Sequence, residues 1–217
     1  MREFVDNAKP FLILYLLFLI AGGVLIAMFE KGDEILYFNQ LHTRFFDEFF
    51  KWTTRLAEAP AFLLVFLLLF FSSYGKGLLL ATNLLLTGGV VQLLKHVVFP
   101  NHHRPPLFFQ DKAVLNLVQG VEVYYHNSFP SGHTATGFAA CFLLSLFVHS
   151  KTAKVFLFFA ALFIGISRVY LLQHFFRDVY AGSLAGVFIT TLVWLLIAQS
   201  DFYNKLKWKD KALLKQV

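Results

Sequence analysis

The chain has 217 residues, 58% of them hydrophobic and only 15% charged. Soluble domains carry about a quarter charged residues, so this composition, with apolar runs of bilayer length, excludes an ordinary soluble domain and marks a polytopic membrane protein. The net charge of +6 lies on no soluble basic face; much of it sits in Lys205, Lys207, Lys209, Lys211 and Lys215, a tail suited to anionic lipid rather than nucleic acid.

The length suits one membrane domain over 1–217, with no internal repeat. The single cysteine, Cys141, permits no intrachain disulfide and lies in an apolar run, where packing is its expected role. Hydropathy predicts an all-α bundle of six transmembrane helices over about 10–29, 60–75, 77–98, 131–149, 153–172 and 178–198. The first is too long for a signal-peptide core and is read as an uncleaved helix. Between the first two, residues 33–58 mix Phe45, Phe46, Phe49, Phe50 and Trp52 with Arg44, Asp47, Glu48 and Lys51 at three- and four-residue steps. That spacing predicts an amphipathic interfacial helix, either a lip that guides lipid or a plain connector. Gly22-Gly23 and Gly88-Gly89 lie inside spans and are expected to serve close helix packing. The proline-containing segment 99–130 reads as a long loop.

Six spans put both termini on one side, together with Arg2, Lys9, Lys76, Lys151, Lys154 and the tail lysines. Positive-inside asymmetry then predicts a multi-pass protein of the cell membrane with cytoplasmic termini and an outward-facing site; Lys31, Arg44, Lys51 and Arg55 weigh against this.

Three polar clusters interrupt the apolar sequence at span edges, where a charge is costly unless paired or ligand-bound. The first is Lys95 with Arg104-Pro105, a mobile point charge and a planar fork for phosphate oxygens. The second is Pro130-Ser131-Gly132-His133 at the start of a span. Free amides at a helix start favour an anion, Gly132 lets it approach the backbone, and His133 can donate a proton to a leaving oxygen. The third is Ser167-Arg168 followed by His174 and Asp178. A four-residue spacing on a helix would put carboxylate and imidazole on one face, fixing the tautomer and freeing one nitrogen to attack. Singly, each cluster also has a structural explanation: a snorkelling lysine, a Ser128 or Ser131 helix cap, a His–Asp pair closing a helix end. All three fall on one predicted membrane face. His102, His103 and His126 in the loop tempt a zinc reading, but they lack ligand spacing and an acidic or thiol partner.

Together these residues resemble the type-2 phosphatidic acid phosphatase superfamily, membrane lipid phosphatases related to glucose-6-phosphatase and the vanadium haloperoxidases. Its pattern is Lys then Arg-Pro, a Pro-Ser-Gly-His, and a Ser-Arg with five residues before His and three more before Asp. The second and third motifs match in full, and the resemblance covers most of the chain. The first departs: eight residues separate Lys95 from Arg104 where the family has six, and Val97 stands where the lysine would fall. Lys95 stays within reach if the two extra residues bulge at the span end.

The resemblance implies a metal-independent hydrolase without cofactor, in which His174 forms a phosphohistidine and Asp178 orients it. His133 would protonate the leaving group and then activate water, while Lys95, Arg104, Ser131, Gly132 and Arg168 hold the phosphate oxygens. The implied partners are a lipid phosphate and membrane lipids, with no nucleic acid and no obligate protein partner. The substrate class is a lipid phosphate monoester or diphosphate, such as undecaprenyl diphosphate, phosphatidylglycerophosphate, phosphatidic acid or a lipid A phosphate. Alternatives are a phosphatase of a soluble phosphoester, or a non-catalytic lipid-binding or transport protein on the same fold.

Overall fold

The protein is described by a computed structural model over residues 2–213, with side chains from Phe4 onward. Among these residues there is no strand; the helices in chain order are α1 (Arg2–Met28), α2 (Asp33–Gln40), α3 (Arg44–Arg55), α4 (Ala59–Ser72), α5 (Tyr74–Leu93), α6 (Pro105–Phe108), α7 (Gly132–Phe147), α8 (Lys151–Tyr170), α9 (Phe176–Val193) and α10 (Asp201–Asn204). One-turn π-helices, Leu94–Val98 and Trp194–Ala198, extend α5 and α9. Where serine or threonine precedes a helix, its hydroxyl accepts an orphan amide of the first turn: Thr43 from Phe46, Ser73 from Lys76, Ser131 from Thr134, Ser150 from Ala153.

Four helical segments are long and apolar enough to cross a bilayer: Phe4–Met28, Tyr74–Val98, Lys151–Tyr170 and Phe176–Ala198. Two predicted spans are shorter than expected. At 1.5 Å per residue, the 14 residues of α4 reach only about 21 Å, against a hydrocarbon core of about 30 Å. With α3, which meets it at a 51° bend, α4 passes as one broken span. The 16-residue α7 is short for a different reason: it is the central helix, buried along most of its length against α5, α8 and α9. Protein rather than lipid surrounds it, so its length need not match the bilayer.

The core is built around α7. Phe138 and Phe142 are fully buried and meet Phe11 of α1 and Phe158 of α8, with Phe11 and Phe142 5.0 Å apart between ring centroids. Cys141 packs in the same cluster, as expected. Asn83 of α5, wholly buried, donates to the Ala139 carbonyl and bonds Thr190 of α9, so polar groups inside the bundle are satisfied helix to helix. Close approach of α9 to α7 requires glycine. A Cβ on Gly182 would lie 2.5 Å from the Ser131 carbonyl oxygen, and one on Gly186 2.3 Å from that of Ala135.

The helices alternate between two ends. At one end, the Lys154 ammonium donates to Asn7, Asn7 donates to Leu146, and Gly75 donates to the Lys209 carbonyl, so the start of α1 and the tail lie together. At the other, Glu34 of α2 accepts the Phe176 amide, and the three polar clusters gather. The tail residue Lys215 and the side chain of Arg2 fall outside the described residues.

Two expectations change. The continuous helix over 33–58 is two helices, because Thr43 caps a new start at Arg44. On α3 the inner face is Phe50, Thr53 and Thr54, while Phe45 and Trp52 are exposed. The glycine pairs also divide. A Cβ on Gly22 would meet the Tyr180 ring at 3.0 Å, as close packing predicts, but Gly88 and Gly89 have nothing within 4 Å and serve no such contact.

Candidate functional site

Three backbone devices bring the clusters to one place. The first is the end of α8. Arg168 sits in its last turn, and its carbonyl accepts the amides of both Gln173 and His174 at 2.9 and 3.0 Å. Leu172, at a φ of 58°, reverses the chain between them. His174 is thereby folded back beside α8 rather than carried on α9, which starts only at Phe176. The expected helical i, i+4 face is therefore absent.

The pair forms by capping instead. Asp178, in the first turn of α9, reaches back to accept the Phe175 amide at 3.0 Å and the Ser128 hydroxyl at 2.5 Å through Oδ2. The same Oδ2 lies 3.4 Å from His174 Nδ1, close but not aligned for a hydrogen bond. Ser128 was one of two candidate caps; here it serves the carboxylate, and Ser131 caps α7.

The second device is the start of α7. The Ser131 amide donates to the Asp178 carbonyl at 3.0 Å, and its hydroxyl accepts from the Thr134 amide and hydroxyl. Ser131 thus joins α7 to α9 and spends its own amide doing so. The amides of Gly132 and His133, the first two of the helix, have no intrahelical acceptor. A Cβ on Gly132 would meet only Val91, at an ordinary 3.7 Å. Protein packing does not demand glycine there; an approaching ligand would.

The third device is the loop carrying Arg104. Its Nε donates to the His126 carbonyl at 2.8 Å, and one amino group donates to the backbone and side-chain oxygens of Gln173 at 3.2 and 3.3 Å. Its guanidinium also faces the Tyr124 ring at 5.1 Å. Lys95 lies in the π-turn Leu94–Val98, and Asn101 follows at a φ of 65°. A π-turn holds one extra residue within the helix, half of the two-residue excess between Lys95 and Arg104.

Charge in this site is lopsided. Lys95, Arg104 and Arg168 are 8%, 9% and 5% exposed, against one buried carboxylate, Asp178. Burial, and then the positive charges of Arg104, Lys95 and Arg168, hold the His174 imidazole well below its ordinary pKa of 6.5, so it is neutral. His133 acts on it in the same direction, which places that second imidazole within electrostatic reach.

Sequence reasoning missed two residues. Thr54 of α3 accepts from an Arg168 amino group at 2.6 Å, and Gln173 anchors Arg104. No motif marks either; Gln173 stands beside His174 in sequence, whereas Thr54 lies 114 positions from Arg168. The loop histidines do not assemble a metal site. His103 and His126 are 5.9 Å apart between ring centroids and His102 packs on Phe99 and Phe129, but no third ligand joins any pair among the described residues. An apolar cavity of about 620 Å³ lies away from the cluster, between α1, α2, α8 and α9, and is lined by residues including Phe18, Leu25, Ile166 and Phe176.

Residues 76–201, more than half of the chain, match the family model for the PAP2 superfamily. The structure resembles that of Aquifex aeolicus LpxE, with a TM-score of 0.67, 27% identity, and coverage of 78% of this chain and 98% of that one. It also resembles a transmembrane PAP2-type phosphatidylglycerolphosphate phosphatase from Bacillus subtilis, with a TM-score of 0.57, 26% identity, and coverage of 89% and 98%. Lipid phosphate phosphatase 1 of Arabidopsis thaliana is 33% identical over 93 residues, 37% of this chain and 28% of that protein. The chain spans less than half the length of the curated relatives it matches.

Proposed function

The chain belongs to the PAP2 superfamily, and from that premise we propose that it is an integral membrane phosphatase. It hydrolyses a lipid phosphate monoester or diphosphate through a phosphohistidine. The observation that carries this reading is the excess of positive charge, Lys95, Arg104 and Arg168 against the one buried carboxylate Asp178, around a neutral His174. Buried cations in excess are costly unless an anion joins them, and a phosphate dianion beside Asp178 balances the three. Relatives named as lipid phosphate and phosphatidylglycerolphosphate phosphatases support a lipid-borne phosphate.

In the proposed reaction, His174 Nε2 attacks phosphorus while the bond to the leaving oxygen breaks. His133 donates a proton to that oxygen, releasing the lipid alcohol, or the lipid monophosphate from a diphosphate. Asp178, beside Nδ1, stabilises the positive charge that grows on the ring. His133, now basic, takes a proton from water, which attacks phosphorus, frees His174 and yields inorganic phosphate. The Arg104 and Arg168 guanidinium groups, the Lys95 ammonium and the Gly132 and His133 amides bind the oxygens that gain charge.

The donor set supports metal independence. Magnesium sites need oxygen ligands, and the one buried carboxylate has Oδ2 committed to Ser128 and Phe175, whereas three cations are present to do the neutralising. The bundle is read as crossing the membrane six times, with α3–α4 as one bent crossing and α7 as a short central one. The lysine-bearing termini are placed in the cytoplasm and the site at the outer face, the end opposite the termini. Phosphate release from a panel of lipid phosphates in detergent with EDTA, wild type beside His174→Ala, tests the reading. Release by the wild type alone is expected; equal release by both would overturn it.

A further inference from the structure

Helix α3 is tied to the site from outside it. Its outer face exposes Phe45 and Trp52. Its inner face lies along α8 and makes two side-chain hydrogen bonds to the last turn of that helix. Thr54 accepts from one Arg168 amino group at 2.6 Å; Asp47 accepts from the Tyr170 hydroxyl at 2.6 Å. His42 closes the second contact, its Nδ1 3.1 Å from the same Asp47 oxygen and its ring stacked on Tyr170 at 4.5 Å.

The first bond leaves a particular edge of Arg168 open. Arg168 is 5% exposed, and its Nε is buried with no hydrogen-bond partner among the described residues. A buried N–H without a partner costs stability unless a ligand satisfies it. A guanidinium presents parallel N–H bonds along each edge, so fixing one amino group on Thr54 sets the direction of the edge that includes Nε. Thr53, next door, spends its hydroxyl on the Phe49 carbonyl of its own helix, so the contact to Arg168 belongs to Thr54 alone.

We propose that Thr54 is a positioning residue that holds the Arg168 guanidinium with its Nε edge turned to an oxyanion, making the seating of α3 part of the anion site. The inference rests on the phosphatase reading only for the identity of that oxyanion as a phosphoryl group. Because α3 carries its exposed aromatic face on the side opposite Thr54, the same helix that presents Phe45 and Trp52 outward orders a binding charge.

The test is the affinity of the full chain in detergent for orthovanadate, a phosphoryl mimic, followed calorimetrically. Four proteins are compared: wild type, Thr54→Val, Thr54→Ser and Thr53→Val. Thr54→Val keeps the branched shape and removes the acceptor; the expected loss is about tenfold or more in affinity, the scale of one hydrogen bond to a charged group. Thr54→Ser should recover to within about threefold, and Thr53→Val should bind as the wild type does. Melting temperatures are read alongside. A lowered melting temperature with unchanged vanadate affinity in Thr54→Val means a purely structural contact and overturns the proposal, as does failure of serine to rescue. No vanadate binding by the wild type also overturns it. Vanadate binding without hydrolysis of any lipid phosphate would instead sink the phosphatase reading, leaving the four affinities to decide the role of Thr54.

Discussion

Replacing Asp178 by Asn changes one oxygen for an amide and removes the only buried negative charge at the site. The carboxylate oxygen Oδ2 accepts from Ser128 and from the Phe175 amide and lies 3.4 Å from His174 Nδ1. An asparagine oxygen can keep the first two bonds, so α9 still starts at Phe176 and the fold survives. What is lost is the charge that offsets the imidazolium forming during attack, in a site where Lys95, Arg104 and Arg168 all oppose it. Removing one partner of a buried charge pair costs about 3–5 kcal/mol, and each 1.36 kcal/mol is a factor of ten in rate. Single-turnover phosphate release at pH 7 should therefore fall by about 10²–10⁴-fold in Asp178→Asn. The melting temperature should fall as well, because three buried cations lose their counter-charge. A rate within tenfold of the wild type, at an unchanged melting temperature, would refute the role of Asp178.

Two glycines of the site region should respond oppositely. Gly186→Ala drives a methyl into the Ala135 carbonyl, separating α9 from α7, and should cost about 2 kcal/mol or more in stability by thermal or denaturant unfolding. Gly132→Ala meets only Val91 at 3.7 Å, so its melting temperature should stay near wild type while activity falls by tenfold or more. The pH profile of kcat/KM carries its own sign. Because burial and cations lower the His174 pKa, the ring stays neutral and nucleophilic as pH falls through 6.5, and the acid limb should lie well below that value. A midpoint near 6.5 would contradict it. Gln173→Leu should remove the side-chain acceptor of Arg104, leaving the bond to the residue's backbone carbonyl, and raise the KM for a lipid phosphate several-fold with the melting temperature little changed.

Much of this was legible in the residues. Apolar runs identify long helices because bilayer thickness imposes their length, and Arg168, His174 and Asp178 are named by a motif compact enough to read. The geometry behind that motif was not. The His174–Asp178 pair arises from a chain reversal at Leu172 and a cap on α9, not from a helical face, since a spacing of four is satisfied by either. Lys95 illustrates the converse: the irregular spacing to Arg104 coincides with a π-turn at Lys95. Thr54 and Gln173 stayed hidden because a polar residue that orients another carries no pattern of its own until tertiary contacts assign it one. The shortness of α7 and the break before α3 have the same origin, tertiary surroundings and a single capping threonine overriding the apolar count.

The most direct test of the account is to trap the intermediate. The wild type is mixed with a lipid phosphate carrying a labelled phosphoryl group, in EDTA, and quenched in alkali, where a phosphohistidine persists. Label on the peptide containing His174, absent from His174→Ala, is the predicted result. Phosphate release that EDTA abolishes, or full turnover by His174→Ala, would contradict the account at its centre.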